Sequence, residues 1–474
     1  MGRSLSRRGF LGMTAGAGLI LAGRLGRRLA WAADAEEWPP KLPTVKIYKV
    51  FAGRTGGHYL SRPTDEIGKF NQYLDGVAKK LGNVEFIGGD LIPDVKVEEV
   101  AAKLKDADGA LLFHLSGHGG DAPVLNKLIE TGVPAAVFSQ PFSGHGWMYF
   151  PALAKAGRKV VLLPSSNWGE LDHMVALMRV GPWMRQTRIF GVGGLQGTGP
   201  ACDPKQVKER LGSEVLLIKN DQLVEAQKAV DIKAAEAEAE EYWLKVAQKI
   251  VEPKRDEIIA SARFYLGVKG LMAKERVRAI TSSHCMGNPR GCLTFSKLND
   301  EGLVGACEGD IDSTLTMLIF GYAFGVPGFI TDPVFDTAKN ALIHFHCTSA
   351  TKLDGPAGKR MPFNIRSQTD SQGGVALEVE NRVGQSVTCA KLINLDTMLI
   401  STGKIIEVTH SPLGCRTQFT TEVKDARSMF HNWGAGVLKG GVMTLLHRAV
   451  FYGDHMQDIK HLAVLMGLKV VEEA

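Results

Sequence analysis

Outside its first 28 residues the sequence has no excess of charge of either sign. The formal balance over 474 residues is +6. Arg3, Arg7, Arg8, Arg24, Arg27 and Arg28 stand in that opening stretch without one acid, and the remainder is near neutral. An electrostatic footprint for nucleic acid is therefore missing. Past the N-terminal region no apolar run is long enough to cross a bilayer. The seven cysteines are an odd number, which argues against a complete disulfide framework and for buried thiols. No glycine-rich segment ends in Gly-Lys-Ser/Thr or has dinucleotide spacing, so neither nucleotide-binding signature is present. No internal repeat is found.

What is present begins with Ser6-Arg7-Arg8-Gly9-Phe10-Leu11-Gly12 and an apolar Gly/Ala-rich run from Met13 to Gly23. A second basic patch and Ala30-Trp31-Ala32-Ala33-Asp34-Ala35 follow. The run is too short to span a membrane and closes on small residues. The expectation is a twin-arginine export signal over residues 1–35, cleaved after Ala32, Ala33 or Ala35. An uncleaved anchor or a basic tail is the alternative. The mature chain is then periplasmic or otherwise exported, without stable membrane insertion. This route carries folded proteins, so thiols and any metal are set in a reducing cytosol.

From Thr44 short apolar runs alternate with amphipathic segments at helical spacing. Val45–Phe51, Val84–Ile87, Gly109–Leu115, Ala135–Phe138, Lys159–Leu163 and Arg188–Val192 end near Gly, Ser or Pro. This rhythm predicts doubly wound parallel sheets. Asp221 to Val251, rich in Ala, Glu and Lys, reads as one long solvated helix. After Asp354-Gly355-Pro356 strand-like segments follow one another without helices, predicting an antiparallel β domain. The expected fold is α/β: two doubly wound parallel-sheet layers plus a C-terminal antiparallel β domain. Composition shifts little near 165, so the split into two layers there, giving divisions at 36–165, 166–350 and 351–474, is not drawn from composition.

The stretch from Cys292 to Leu353 gathers the groups that carry chemistry. Asp310 to Thr316 reads as a helix start and Gly325-Val326-Pro327-Gly328 as its stop. Phe329-Ile330-Thr331 reads as a short strand ended by Asp332-Pro333. Glu308 then sits before a helix and Asp332 after a strand, where α/β enzymes place reactive groups. The plainer reading makes Glu308 a helix cap and Asp332 a turn residue. His344, His346, His410, His431 and His447 are available as further metal ligands. An imidazole inside an apolar run is either a ligand or a hydrogen-bonded core residue. Cys307 and Cys347, beside Glu308 and His346, read as buried structural thiols.

Leu298-Asn299-Asp300-Glu301-Gly302, Ala306-Cys307-Glu308-Gly309-Asp310, Thr331-Asp332-Pro333-Val334 and His346-Cys347 resemble segments of the L-fucose isomerase and L-arabinose isomerase superfamily. The separation of 24 positions from Glu308 to Asp332 matches that of the metal-binding carboxylates in the fucose isomerase branch. The split near residue 165 rests on this same resemblance. The likeness is closer to poorly characterised relatives that are shorter than the fucose isomerases. The resemblance implies that Glu308 and Asp332 bind a divalent metal and act as the acid/base pair. It implies His346 or the late His447 as a further ligand, although His447 follows Asp332 more closely than in the fucose isomerases. Mn²⁺ is the expected ion, with Mg²⁺ or another first-row divalent ion as alternatives. The implied reaction is aldose–ketose interconversion through an enediolate. An epimerase or lyase acting on a sugar acid, an exported sugar-binding protein and a degenerate non-catalytic relative are the rivals.

Three loops follow strands of the first layer: Arg54-Thr55-Gly56-Gly57-His58, Ser116-Gly117-His118-Gly119-Gly120 and Ser143-Gly144-His145-Gly146-Trp147. They are either ordinary tight turns or sugar-binding loops. By the resemblance, subunits assemble as a trimer or hexamer and a neighbour's first domain covers the site. Arg54, His118, His145 and Trp147 then serve a small sugar in another subunit. Arg416, in Gly414-Cys415-Arg416-Thr417-Gln418, is expected either to reach substrate or to pair with a carboxylate.

Overall fold

The computed structural model describes residues 38–53, 63–92, 94–115, 122–284, 287, 289–368, 373–436 and 442–474. The signal segment 1–35 and the candidates Arg54 and His118 lie outside the described residues.

The predicted strand–helix rhythm forms two separate parallel sheets. The first contains β1 (Val45–Ala52), β2 (Val84–Ile92), β3 (Gly109–His114), β4 (Ala135–Ser139) and β5 (Val160–Leu163), in the order β2-β1-β3-β4-β5. Strands β3 and β4 are buried throughout, as parallel strands covered on both faces require. Further along come β6 (Arg188–Val192), β7 (Glu214–Ile218), β8 (Lys249–Ile250), β9 (Ala279–Ser282) and β10 (Val304–Cys307). The second sheet has the order β10-β9-β6-β7, all parallel. Its carboxyl edge delivers Cys307 and, one residue later, Glu308.

The remaining strands are β11 (Phe329–Asp336), β12 (Ala341–His346), β13 (Phe363–Arg366), β14 (Ala376–Val379), β15 (Ser386–Ile393), β16 (Thr397–Val408), β17 (Thr417–Val423), β18 (Arg448–Tyr452) and β19 (Lys469–Glu472). Strands β15, β18, β11, β12, β17 and β16 pair in that order, and β16 returns to β15. Closure makes an antiparallel barrel without free edges, with β19 added parallel to β16. A small separate sheet, β14-β13-β8, packs against β17, where Thr417 Oγ1 donates to the Leu377 carbonyl at 2.9 Å. The expected fold class, two parallel layers and an antiparallel β unit, is the one observed.

Three local expectations change. Residues 221–251 are not one solvated helix. Helix Asn220–Ala229 stops at Val230, which is extended, and Asp231 caps a second helix, Ile232–Ala239, by accepting from the Lys233 amide. The following turn buries Trp243 completely. Asp332-Pro333 does not end its strand, because β11 continues to Asp336. Pairing with β18 stops at Thr331, so Pro333 lies where only β12 is a neighbour. The barrel also takes β11 and β12 from ahead of residue 351, where the strand rhythm suggested its start.

The helix Ile311–Phe324 runs from Asp310 to Gly325, as its start and stop residues predict. Nearly every side chain on it is buried, because it packs between the second sheet and the barrel. At the barrel end Arg448 forms a fully buried ion pair with Glu473, at 2.6 and 2.9 Å, and donates to the His447 carbonyl at 2.7 Å. Removing one partner strands a buried charge, which costs about 3–5 kcal/mol. Glu473→Ala should therefore lose about that much in urea unfolding. A change under about 1 kcal/mol would show that water or another group compensates Arg448.

Candidate metal centre at the carboxyl edge of the second sheet

Strand register brings the distant residues together. The β11–β18 ladder pairs Thr331 with Arg448, so one step further Asp332 meets His447. Strand β12 ends at His346, and β10 ends one residue before Glu308. Asp332 Oδ1 is 3.2 Å from His447 Nε2, and Glu308 Oε2 is 3.7 Å from the same nitrogen. Glu308 Oε1 lies 3.7 Å from His346 Nε2. The side chains of Glu308 and Asp332 retain 29% and 20% exposure while His447 has none, so the cluster is open on its carboxylate side.

The backbone at Glu308 is strained to achieve this. Glu308 has φ +60° and Gly309 φ +72°, two successive left-handed residues of which the first carries a side chain. At Gly309 a Cβ would stand 3.1 Å from the Gly194 carbonyl, so glycine suits both conformation and space. The loop after β6 clamps the turn: the Gln196 amide donates to the Gly309 carbonyl at 2.8 Å and the Ile311 amide to the Gln196 carbonyl at 3.0 Å.

Asp310 fixes the imidazole. It is fully buried, caps its helix through the Ser313 amide, and accepts from Ser313 Oγ and from the buried Lys391 ammonium, each at 2.7 Å. Its Oδ2 also lies 2.9 Å from His447 Nδ1. An ionised carboxylate only accepts, so Nδ1 carries the proton and the Nε2 lone pair faces Glu308 and Asp332. With the ring neutral, three electron-rich groups thus converge with no hydrogen between them, a demand met either by a cation or by a second proton on Nε2. Asp332 Oδ1 and His447 Nε2 are both buried and satisfy no hydrogen-bond geometry. Buried polar atoms are seldom left so. A cation fits this set, and ring atoms of His346 and His447 with a Glu308 oxygen lie within 4.8 Å of one another. Two carboxylates and imidazoles suit a hard or borderline divalent ion, and the Asp310–His447 contact is the usual outer partner of a ligating histidine.

The environment separates the two acids. Burial pushes the Glu308 carboxyl above the usual range, and the pull of the two imidazoles only partly offsets it. Burial acts on Asp332 the same way, but the adjacent His447 and the charge of His346 bring it below its ordinary value. Asp310, despite the burial cost, is held far down by Lys391 and His447. Burial alone would lower His447, yet Asp310 and Asp332 raise it.

The other candidates lie differently. His344 is a core residue: its nitrogens meet Thr331 Oγ1 at 3.0 Å and Thr421 Oγ1 at 2.9 Å, and burial lowers its pKa to about 3. His410 faces Glu378 at 3.4 Å, and His431 packs on Phe430. Arg416 donates to the Ser367 carbonyl at 2.6 Å and lies 3.6 Å from Glu252. His145 and Trp147 are exposed beyond the end of β4. Sequence reasoning missed Lys391 and the second task of Asp310. A lysine inside the apolar run of β15 was the available signal, since such a charge must find a buried partner.

No family model matches the chain. A sulfoquinovose isomerase from Clostridium sp. (strain MSTE9) is 38% identical over 60 residues, 12% of this chain and 13% of that protein. A sulfoquinovose isomerase from Alkalicoccus urumqiensis is 23% identical over 332 residues, 64% of this chain and 69% of that protein.

The raised His447 pKa gives a signed expectation for the metal-stripped protein. The stabilisation from protonated His447 is fully present below the unfolded value of 6.5 and disappears as pH rises through the raised folded value. In chelator, wild type should exceed His447→Gln in stability most at low pH, with the margin narrowing as pH climbs. A margin independent of pH would contradict the assigned pairing.

Proposed function

We propose that the protein is a metal-dependent sugar isomerase that interconverts an aldose and a ketose by moving a proton between neighbouring carbons. The observation that carries this reading is the convergence of Glu308, Asp332 and the His447 Nε2 lone pair at a solvent-open edge. The printed names of the two similar proteins, both sugar isomerases, support it.

Glu308, Asp332 and His447, with His346 beside them, would hold the divalent ion, Mn²⁺ being our first choice. The ion supplies Lewis-acid polarisation of a carbonyl and neutralises charge that develops on its oxygen. The chain's own groups do the rest. Glu308, with its raised pKa and partial exposure, exchanges a proton with the substrate. Asp332, held lower, stays ionised at the same pH, and such divergence of paired acids is how acid/base roles separate. Asp310 and Lys391 keep His447 from turning, so its lone pair stays on the site. The hydroxyls of a sugar enter from the carboxylate side.

The proposal includes export through the twin-arginine route and assembly into a homo-oligomer, with no nucleic-acid partner. Exposed Phe142, Trp147, Met148 and Tyr149 beyond β4 offer an apolar patch suited to a subunit contact. Among the described residues no helix is long and apolar enough to cross a membrane.

The test uses purified wild type and a Glu308→Gln, Asp332→Asn double variant, each exposed to Mn²⁺ and then to a panel of aldoses. Wild type should retain about one ion per chain and form ketose, and the double variant should retain none. Glu308→Gln alone should lower kcat roughly 10²–10⁴-fold. An ion retained equally by the double variant, or no conversion of any aldose by the loaded wild type, would defeat the reading.

A further inference from the structure

Behind the carboxylate cluster lies a group of thiols that the proposed reaction does not use. Cys292 opens a helix, Cys307 ends β10, Cys347 follows β12 and Cys415 precedes β17. The first three are buried, with exposures of 1%, 1% and 2%. Cys347 Sγ is 3.3 Å from Cys292 Sγ, and its thiol also meets those of Cys307 and Cys415. Cys307 Sγ, a ring nitrogen of His346 and Cys347 Sγ all lie within 4.8 Å of one another. His346 stands between the two groups: Nε2 is 3.7 Å from Glu308, and Nδ1, which accepts from the Cys347 amide at 3.0 Å, is 3.6 Å from Cys347 Sγ.

We propose that Cys307, His346 and Cys347, completed by Cys292, form a second metal site that takes a thiol-seeking divalent ion such as Zn²⁺. Sulfur and imidazole donors in a closed, water-poor setting select Zn²⁺ over Mn²⁺ or Mg²⁺, which prefer oxygen. Each sulfur loses its proton to solvent as the ion binds, so loading releases protons and leaves every donor's oxidation state unchanged. The four donors come from three segments: Cys292 from a helix, Cys307 from β10 of the second parallel sheet, and His346 and Cys347 together from the end of β12. An ion there ties sheet to barrel directly behind Glu308, which is a structural task. When this site is filled His346 serves it, and Glu308, Asp332 and His447 hold the proposed isomerase ion, so the inference does not depend on catalysis.

Co²⁺ is the probe, because thiolate ligation gives it an intense sulfur-to-metal charge-transfer band that oxygen and nitrogen ligands do not. Reduced, metal-stripped full-length protein should develop this band on Co²⁺ addition. The Glu308→Gln, Asp332→Asn variant should develop it too, which separates this site from the carboxylate centre. Cys307→Ser and Cys347→Ser should lose it. Zn²⁺ should bleach it and, in wild type, shield Cys292, Cys307 and Cys347 from alkylation mapped by mass spectrometry. The mapping keeps the test decisive should a serine variant misfold. Cobalt spectra without the band, or Zn²⁺ that shields none of these thiols, would overturn the proposal. So would a Cys292–Cys347 disulfide in protein isolated without reductant, since the 3.3 Å approach would then mark a redox pair.

Discussion

The contact between Asp310 and His447 is the constraint on which the site depends. A carboxylate with no exposure costs several kcal/mol to desolvate. Here the cost is offset by the Ser313 amide, the Ser313 hydroxyl, the Lys391 ammonium and the His447 Nδ1–H. Satisfying Asp310 in this way leaves His447 one orientation. Its second nitrogen faces Glu308 and Asp332. The same carboxylate therefore starts the central helix, neutralises a buried lysine and aims the His447 imidazole.

Strain and unsatisfied atoms concentrate where that lone pair points. Glu308 holds a left-handed backbone, and Asp332 Oδ1 and His447 Nε2 lack hydrogen bonds. Such features persist when the surroundings over-determine them. The crossing of the Gln196 loop over residues 309–311 does so on one side, and the Arg448–Glu473 pair braces the His447 backbone on the other. The scaffold thus holds Glu308, Asp332 and His447 Nε2 together, where the proposed cation would sit.

Much of the fold was legible in the sequence, because parallel strands and their helices write distinct periods. The cap at Asp310 and the stop at Gly325 were legible for the same local reasons. The break at Val230 was not: alanine-rich composition favours helix on both sides, and the cap at Asp231 decides the break. Asp332 looked like the end of a strand because Pro333 follows it; only the register shows that β18 has stopped pairing by then. Glu308 and Asp332 were nameable from motif and spacing. Their partner His447 stands 115 residues beyond Asp332, and barrel register rather than sequence proximity joins them. The partner of Lys391 and the thiol cluster were not legible, since each joins the second sheet or its helices to the barrel across a long stretch of sequence.

The most direct test of the account is the anomalous diffraction of crystals grown from metal-stripped protein and soaked in Mn²⁺. The account predicts a strong peak bonded to Glu308, Asp332 and His447 Nε2, at oxygen and nitrogen distances of about 2.0–2.3 Å. The Asp310 contact to Nδ1 should remain intact. A peak elsewhere, or none between these three side chains at saturating Mn²⁺, would contradict it.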